Sequence, residues 1–478
     1  MEKLFKLNEN GTTVKTEIIA GLTTFMTMAY IIALNPNLLT GFGANGGQGL
    51  WNGIFLATCI ASAIGMFVMA FAANKPFAMA PGMGLNSFFA FVIGQVVSIT
   101  GLSYTESFQA GLCIILIEGV IFVILSVLNI RDKIVNAIPL GVRLGIGPAI
   151  GLMLMNIGLG SNAGIYSKSN NFSAPFYVMR DFFGALTANF AKGSMGEGYS
   201  AMVLTVATMF IGLFVIIALA HFKVKGAVIL GMLVASVVYW VGQAVFFHVN
   251  PFANLASANW IPPFKDMVGT TLFKFNFANL AQIGWFTVVT LVITFCIIDM
   301  FDTIGTLVGT AAKANMLDKD GNMPQMKEAL LADAVGTVAG ACTGTSTVTT
   351  FVESASGVEA GGRTGLTALT TGIVFLLCMF ISPIAAIIPS AATSAALIYV
   401  GILMLSGLKN IDFEDITQTA PVFIMLLAMP VSGSIGHGIG LALITFTVLK
   451  VCTGKPKDVP VVTYFLSALF LVKFFLAA

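Results

Sequence analysis

The chain has 478 residues, of which 57% are hydrophobic and only 9% are charged, and its net charge is +2. Soluble domains carry about a quarter charged residues, so this composition excludes an ordinary soluble protein. The three histidines and the six cysteines are scattered and indicate neither a metal site nor a disulfide framework. We therefore expect an integral membrane protein with no metal, cofactor or nucleic-acid partner.

The predicted elements begin with the polar segment Met1–Asn10, which leads into apolar chain without the small-residue cleavage site of a signal peptide. Hydropathy then predicts fourteen membrane spans, since about twenty apolar residues are needed to cross the hydrocarbon. The spans cover residues 17–39, 50–72, 79–96, 107–128, 134–156, 200–220, 226–248, 283–311, 328–343, 346–360, 364–382, 390–408, 415–430 and 434–451. The apolar tail 459–478 carries only Lys473, and we favour an interfacial or packed helix there over a fifteenth span.

Basic residues in the connections predict the orientation of the spans. With the N-terminus in the cytoplasm, every short connection that carries Lys or Arg falls on the inside, including those with Lys75, Lys223 and Lys409. The outside receives basic residues only in the two long connections, where the charge bias is weak. We therefore expect a multi-pass protein of the cell membrane with both termini in the cytoplasm.

Fourteen spans divide into two halves of seven, residues 1–248 and 283–453, joined by an outer connection at 249–282 and followed by a tail helix at 454–478. Because each half has an odd number of spans, the second half enters the membrane inverted relative to the first. Inverted repeats place a substrate site near the midplane, between discontinuous segments at matching positions. We therefore expect the site at the third span of each half, the third and tenth spans of the chain.

Both of these spans contain residues that interrupt a helix. In the third span, Pro81 and Gly82 favour an extended stretch before a helix that begins at about Asn86. In the tenth, the β-branched run 347–352 favours a strand and ends at Glu353. Irregular backbone at membrane depth is tolerated only where it is buried in protein or lines a cavity. We therefore predict two short antiparallel strands beside a ligand site.

Of the carboxylates within or beside the spans, six are taken as candidates, because a charge at bilayer depth costs at least about 2.5–3.5 kcal/mol and needs a reason. They are Glu17, Glu118, Asp299, Asp302, Asp333 and Glu353. Glu17 is expected at the interface, Glu118 as a structural hydrogen-bond acceptor or a proton relay, and Asp333 as a cap, a salt link or a functional group. Asp299 and Asp302 share one helix face, so at least one should be protonated or paired with a ligand. Glu353, at the break, is the strongest candidate for binding a substrate and a proton.

Four motifs resemble the AzgA-like branch of the nucleobase–cation symporter-2 family, at residues 18–30, 81–91, 331–337 and 344–367. The last of them, which begins Gly-Thr-Ser-Thr-Val-Thr-Thr-Phe-Val-Glu-Ser, is highly specific. The resemblance implies proton-coupled uptake of adenine, guanine or hypoxanthine by a uracil-transporter-like fold of seven plus seven inverted spans. It also implies a core domain from spans 1–4 and 8–11 and a gate domain from spans 5–7 and 12–14. A homodimer is possible.

By the same resemblance, the substrate contacts fall on Asp299 and Glu353, with Asn86 and Asp302 in supporting positions. Proton coupling then falls on Glu353 and Asp299. The chemistry agrees, because a carboxylate accepts hydrogen bonds from the ring N–H groups of a purine, and the Asn86 amide can both donate and accept. At one position, Glu359, the residue differs from the one that the motif of this family usually has. Which purine is preferred, and whether protons or sodium ions drive uptake, stays open.

Some of these residues allow a second interpretation. Phe88 and Phe351 either stack on the ligand or pack in the core. An anion exchanger or channel of the same architecture would favour a cation at the tenth-span break, where this chain has Glu353. An intramembrane enzyme would use Asp299 and Asp302 as an acid–base pair, but side chains one turn apart can hardly flank a scissile bond. No GxxxxGK[ST] phosphate loop is present, so ATP-driven pumping is not expected.

Overall fold

The computed structural model of the protein describes residues 1–41, 45–128, 139–162, 198–253, 258–313 and 323–475, with 189, 192–193, 255 and 316–317 between them. Some predicted features lie outside these residues. They are the start of the fifth span at 134–138, most of residues 160–199 in the long outer connection between the fifth and sixth spans, and some of the basic residues of the connections, namely Arg131, Lys133, Lys168, Arg180 and Lys319.

Lipid offers no partner to backbone N–H and C=O groups, so apolar chain at membrane depth forms helices that pair these groups internally. Up to residue 253 the elements are α1 Glu2–Phe5, α2 Val14–Met28, α3 Ile31–Leu39, α4 Gly47–Val68, β1 Met79–Pro81, α5 Met83–Thr100, α6 Tyr104–Val127, α7 Leu140–Ile157, α8 Gly198–His221 and α9 Ala227–Phe247. The remaining elements are α10 Phe264–Thr270, α11 Phe277–Ala281, α12 Trp285–Lys313, α13 Met326–Thr343, β2 Val348–Thr350, α14 Ser354–Glu359, α15 Gly365–Leu377, α16 Ser382–Ala386, α17 Ser390–Met404, α18 Ile416–Ser432, α19 Ile435–Cys452 and α20 Val461–Phe475.

Within the described chain, eleven helical segments are long and apolar enough to cross a membrane. The predicted ninth, tenth and thirteenth spans are not among them, for physical reasons. Helix α13 has the length but is rich in alanine, glycine and polar residues, and α4 and α6 pack against it. The tenth segment is divided by β2, and α18 has 17 residues. A segment enclosed by other helices needs no lipid-facing apolar surface.

The two broken segments meet inside the bundle. Strands β1 and β2 pair antiparallel, with Ala80 opposite Thr349, and every residue of both strands is buried. The ladder is extended on both sides, because the Gly82 N–H donates to the Thr347 carbonyl (3.1 Å) and the Phe351 N–H donates to the Ala78 carbonyl (3.0 Å). Each strand thus supplies backbone partners that lipid could not.

Two glycines allow the backbones to approach so closely. A Cβ atom at Gly82, just before α5, would lie 2.7 Å from Cγ2 of Thr349. A Cβ atom at Gly340 of α13 would lie 2.6 Å from the carbonyl oxygen of Ser346. Real Cβ contacts are not this short, so any larger residue would push the paired segments away from α13 or from each other.

The helices pack in two groups. Helices α2–α6 and α12–α15 form the first group, in which α13 contacts α4 and α6 while α15 contacts α2 and α4. Helices α7–α9 and α17–α19 form the second group, in which α7 contacts both α17 and α18, and α8 contacts α9 and α17. The paired strands belong to the first group, since β1 packs on α4 and β2 packs on α12 and α13.

Glu17 ties two helices of the first group together. Its side chain is fully buried, where the sequence suggested only an interfacial position. The carboxylate accepts hydrogen bonds from the backbone N–H groups of Arg363 (2.8 Å), Thr364 (3.2 Å) and Thr367 (3.2 Å), and from the Thr367 hydroxyl (2.6 Å). These groups surround the N-terminus of α15, whose first N–H groups have no partner within the helix. Glu17 of α2 therefore caps α15, and its negative charge suits that end of the helix dipole.

Glu17→Ala should destabilise the protein, because it leaves buried N–H groups without an acceptor. We expect the free energy of unfolding to fall by about 2–4 kcal/mol, given the cost of unsatisfied buried donors. The measurement is the melting temperature of the protein purified in detergent. Glu9→Ala is the control, since Glu9 is an exposed partner of Lys6 and should leave the melting temperature unchanged. Equal melting temperatures for the two variants would contradict the capping role.

Candidate functional site

A cavity of about 680 Å³ lies between the two helix groups. The first group lines it with α2, with α12 and with residues 352–359, and the second group lines it with α7, α17 and the facing ends of α8 and α9. Its volume is in the range of sites that enclose small organic molecules. Among the described residues, four with charged side chains line it: Arg143, Asp302, Glu353 and Glu359. All three carboxylates come from the first group, and Arg143 comes from α7 of the second.

Glu353 stands where the tenth segment changes from strand to helix. It is the residue before α14, and the hydroxyl of Tyr30 donates a hydrogen bond to its Oε1 atom at 2.8 Å. Tyr30 is only 2% exposed and lies between α2 and α3, where the predicted first span is interrupted. The interruption of one segment thus places a hydroxyl against the carboxyl group at the break of another. That hydrogen bond fixes the position of the Glu353 carboxyl group in the cavity wall.

The two aspartates of α12 have different surroundings. Asp302 lines the cavity and lies close to Gly82, since a Cβ atom built there would be 3.5 Å from its Oδ2 atom. Asp299 is fully buried and is not among the lining residues. Its Oδ1 atom is 3.1 Å from the hydroxyl of Thr303. The structure therefore brings Asp302 and Glu353 together in one cavity and places Asp299 one turn away, behind the wall.

Asn86 lies behind the cavity wall as well. It is fully buried in the first turn of α5, where its amide donates to the Pro81 carbonyl at 3.3 Å and its Oδ1 atom accepts from the hydroxyl of Ser346. Ser346 precedes β2 and Pro81 ends β1, so Asn86 joins the two broken segments. In this arrangement its contact with a ligand would be indirect, through the position of the strands.

The two predicted stacking residues also lie outside the lining of the cavity. Phe88 is buried against Phe295, with the ring centroids 4.7 Å apart, and Phe351 is 6% exposed directly after β2. Of the described residues, the aromatic one that does line the cavity is Tyr399 of α17.

Glu118 of α6 accepts a hydrogen bond from the Thr347 hydroxyl at 2.8 Å, which is a structural contact of the kind considered for it.

Comparison with known proteins identifies the family. The sequence pattern of a family described as "Permease family" matches residues 15–189 and 178–445. The adenine permease AdeP of Escherichia coli is 36% identical over 99% of this chain and 95% of its own. The guanine/hypoxanthine permease PbuO of Bacillus subtilis is 36% identical over 99% of this chain and all of its own. The chain belongs to this permease family. The resemblance found in its motifs is confirmed, and the protein is a membrane permease, not an enzyme.

A solved structure supports the fold of the permease. The transmembrane domain of the cyanobacterial bicarbonate transporter BicA superposes with a TM-score of 0.60, covering 88% of this chain and 97% of that one. The sequence identity is 13%, so the likeness concerns the fold alone. A largely helical membrane-transporter fold, as predicted, is therefore confirmed.

Three residues of the candidate site went unnoticed in the sequence: Tyr30, Arg143 and Tyr399. Tyr30 belongs to one of the family motifs, but the interruption between α2 and α3 carries no strong helix breaker at that point. Arg143 lies inside the predicted fifth span, and no neighbouring motif marks it as part of a site. Tyr399 is one of many aromatic residues in apolar runs. Only the packing of distant segments reveals that the permease places all three beside Glu353 or in the same cavity.

Tyr30→Phe removes only the hydroxyl that donates to Glu353. Because a hydrogen bond to a charged group contributes about 1.5–3 kcal/mol, we expect the rate of transport to fall about 10- to 100-fold. Initial rates of uptake of the labelled substrate into cells that express each variant give the measurement. Tyr464→Phe is a matched control, because that hydroxyl donates to the Pro456 carbonyl at an exposed position. Wild-type rates for Tyr30→Phe would show that Glu353 needs no partner.

Proposed function

We propose that the permease imports purine nucleobases by proton symport. The observation that carries this proposal is the cavity in which Glu353 and Asp302 of the first helix group face Arg143 and Tyr399 of the second. The names of the relatives, an adenine permease and a guanine/hypoxanthine permease, support a purine as the ligand. A purine is a flat plate with N–H donors and N or O acceptors around its edge, so carboxylates, a guanidinium and an aromatic ring are the groups that suit it.

In the proposed complex, Glu353 and Asp302 accept hydrogen bonds from the N–H groups of the base. Charge-assisted bonds of this kind are shorter and stronger than neutral ones. Asn86 and Asp299 support the site from behind, Asn86 through Ser346 and Asp299 through Thr303. The ring of Tyr399 is the aromatic surface on which the base could stack. Proton binding at Glu353 or at the aspartates accompanies the substrate.

The fine architecture belongs to the same proposal. We propose fourteen segments in two inverted halves, residues 1–248 and 283–453. The antiparallel pairing of β1 with β2, the third segment of one half with the third of the other, supports this arrangement. The first helix group corresponds to the core domain and the second to the gate domain, because their members fall in spans 1–4 and 8–11 and in spans 5–7 and 12–14.

The cavity supports a cytoplasmic opening. Its lining includes Ala220 near the end of α8, Val224 in the connection that follows, and Val228 at the start of α9. The connection between these helices carries Lys223 and Lys225, which the charge count places in the cytoplasm together with both termini. The structure is therefore proposed to represent an inward-facing permease, from which a substrate would leave into the cell.

Glu353→Ala should abolish concentrative uptake, because it removes a hydrogen-bond acceptor for the base and a group that could carry the proton. The measurement is accumulation of labelled hypoxanthine in cells, with and without a proton ionophore. Wild-type accumulation should collapse when the ionophore is added.

Glu414→Ala is the control, since Glu414 is an exposed carboxylate before α18 and should leave accumulation intact. Concentrative uptake by Glu353→Ala at the wild-type level would overturn the mechanism. Wild-type accumulation that persists with the ionophore would overturn proton coupling and leave purine transport in place.

Arg143 is proposed to select between purines. Oxopurines present two neighbouring acceptors, O6 and N7, and an arginine fork can donate to both. Adenine presents a donor at N6 beside the acceptor N7, so the same fork would meet a donor. Of the described residues that line the cavity, Arg143 is the one with a permanent positive charge. This geometry favours guanine and hypoxanthine over adenine.

Arg143→Gln should therefore weaken binding of oxopurines more than that of adenine. A glutamine can both donate and accept, so it suits the edge of adenine as well. Competition against labelled substrate by guanine, hypoxanthine and adenine gives the three inhibition constants, and we expect those of the oxopurines to rise about tenfold relative to that of adenine. Equal increases of the three inhibition constants would show that the charge of Arg143 attracts all three bases alike and does not select between them.

A further inference from the structure

Thr303 of α12 has three oxygen neighbours in the interior of the first helix group. Its hydroxyl oxygen lies 3.1 Å from Oδ1 of Asp299, 2.7 Å from Oδ1 of Asp333 and 2.6 Å from the hydroxyl of Thr349. All four side chains are buried, and none of the four lines the cavity. They come from three elements, α12, α13 and β2. This cluster is separate from the groups that face the proposed substrate.

The cluster requires a proton beyond those of its two hydroxyl groups. A threonine hydroxyl donates one hydrogen bond and accepts up to two. If Thr303 donates to either aspartate, the other aspartate can bond to Thr303 only by donating, and an ionised carboxylate has no hydrogen to donate. If Thr303 donates to Thr349, both aspartates must donate. In every arrangement that gives each of the three contacts its own hydrogen, at least one of the two carboxyl groups is protonated.

We propose that Asp299 and Asp333 form a shared proton site, bridged by Thr303. The two Oδ1 atoms are at most 5.8 Å apart, the length of the two bonds laid end to end. Carboxylates that share a buried site tend to retain one proton between them. Their titration belongs to the pair and not to either residue alone. The site rests on the proposed proton symport for its role in transport, whereas the hydrogen-bond geometry supports its existence independently.

Other charged groups approach this pair from neighbouring elements. Asp302 is on the same helix and interacts electrostatically with both Asp333 and Glu353. Glu118 of α6 binds the Thr347 hydroxyl just before β2, and Glu359 ends α14. Lys327 and Glu328 stand in the first turn of α13, more than one turn before Asp333.

Basic side chains are also present on other neighbours of α12. His437 and Lys450 are on α19, Lys473 is on α20 and Arg143 is on α7, and each of these helices contacts α12. Helix α19 approaches α12 at Thr294, where a Cβ atom at Gly436 would lie 2.9 Å from its Cγ2 atom. That contact is more than one turn before Asp299.

A direct path joins the proton pair to the substrate cavity. Thr349 belongs to β2 and lies against Gly82, and the same glycine lies beside Asp302, which lines the cavity. Loss of the shared proton would leave two carboxylates competing for the single hydrogen of Thr303. One of the contacts to Thr303 would then break, and β2, with Glu353 three residues beyond its end, would be free to shift. The proton shared by Asp299 and Asp333 can in this way influence the position of the carboxylates that face the base.

Infrared spectroscopy of the purified permease, with no substrate present, tests the shared proton. Protonated buried carboxyl groups give a C=O stretching band that ionised carboxylates lack. We expect one such band of the wild type to disappear in Asp333→Asn and also in Asp299→Asn, because an asparagine amide can supply the hydrogen that Thr303 needs. Glu353→Gln and Thr303→Ser should both retain it, since the first lies outside the cluster and the second keeps the bridging hydroxyl.

The two asparagine variants are close in shape to the native residues, and elution of each as a monodisperse peak in detergent shows that it is folded. A band that persists in both variants overturns the shared site, as does its absence from the wild type over the whole range of pH in which the protein is folded. If one variant does not fold, the other still decides the question.

Transport by reconstituted protein tests the role of the pair. In proteoliposomes, Asp333→Asn should retain exchange of labelled hypoxanthine across the membrane. Its accumulation of hypoxanthine driven by a pH gradient should fall at least tenfold below that of the wild type. Wild-type accumulation by this variant would overturn the role of the pair in coupling. If the wild type itself transports no purine, the proposed function fails, and the infrared result still decides whether the shared proton exists.

Discussion

The architecture depends on the pairing of β1 with β2 inside a bundle of helices. A broken segment at membrane depth exposes backbone N–H and C=O groups, and each such group costs several kcal/mol if lipid is its only neighbour. Neither three-residue strand could exist alone, but each supplies what the other lacks. With the strands paired, a hydrogen bond between Asn86 and Ser346 links the residues that flank them. The Thr349 hydroxyl contacts that of Thr303, and Glu353, just after β2, lies in the cavity wall. The positions of the proposed substrate groups and of the proton pair therefore follow from one short ladder.

Four carboxyl groups of the first helix group share a second feature, which is a contact with a hydroxyl group from a different element. Thr367 donates to Glu17, Thr347 to Glu118 and Tyr30 to Glu353, and the Thr303 hydroxyl contacts Asp333. A lysine or arginine in place of the hydroxyl would form a buried ion pair, and loss of one charge would then leave the other uncompensated. A hydroxyl is neutral and can either donate or accept. It can therefore hold a carboxyl group in position in both protonation states, which is a requirement for a group that gains and loses a proton.

Much of this arrangement could be predicted from local sequence, and the limits have physical reasons. Pro81, Gly82 and the β-branched run 347–352 predicted the two interruptions because helix propensity is a local property. Helical spacing correctly places Asp299 and Asp302 on neighbouring positions of α12, but it does not give their depth. The partners of Glu353 and Thr303 could not be found this way. Tyr30 is 323 positions from Glu353, and Thr349 is 46 positions from Thr303. Such contacts are decided by how whole segments pack.

The unequal contribution of the two helix groups to the cavity bears on how the permease could move. The carboxylates among the lining residues, Asp302, Glu353 and Glu359, all belong to the first group, while the second supplies Arg143, Tyr399 and largely apolar side chains. Most hydrogen bonds to a bound base would therefore be made by the first group. Apolar contacts lack direction, so apart from the contact of Arg143 the second group can slide along the first at little cost, whereas a broken charge-assisted bond is expensive. We therefore expect the base to travel with the first group and the proton pair behind it, while the helices of the second group act as the surface past which they move.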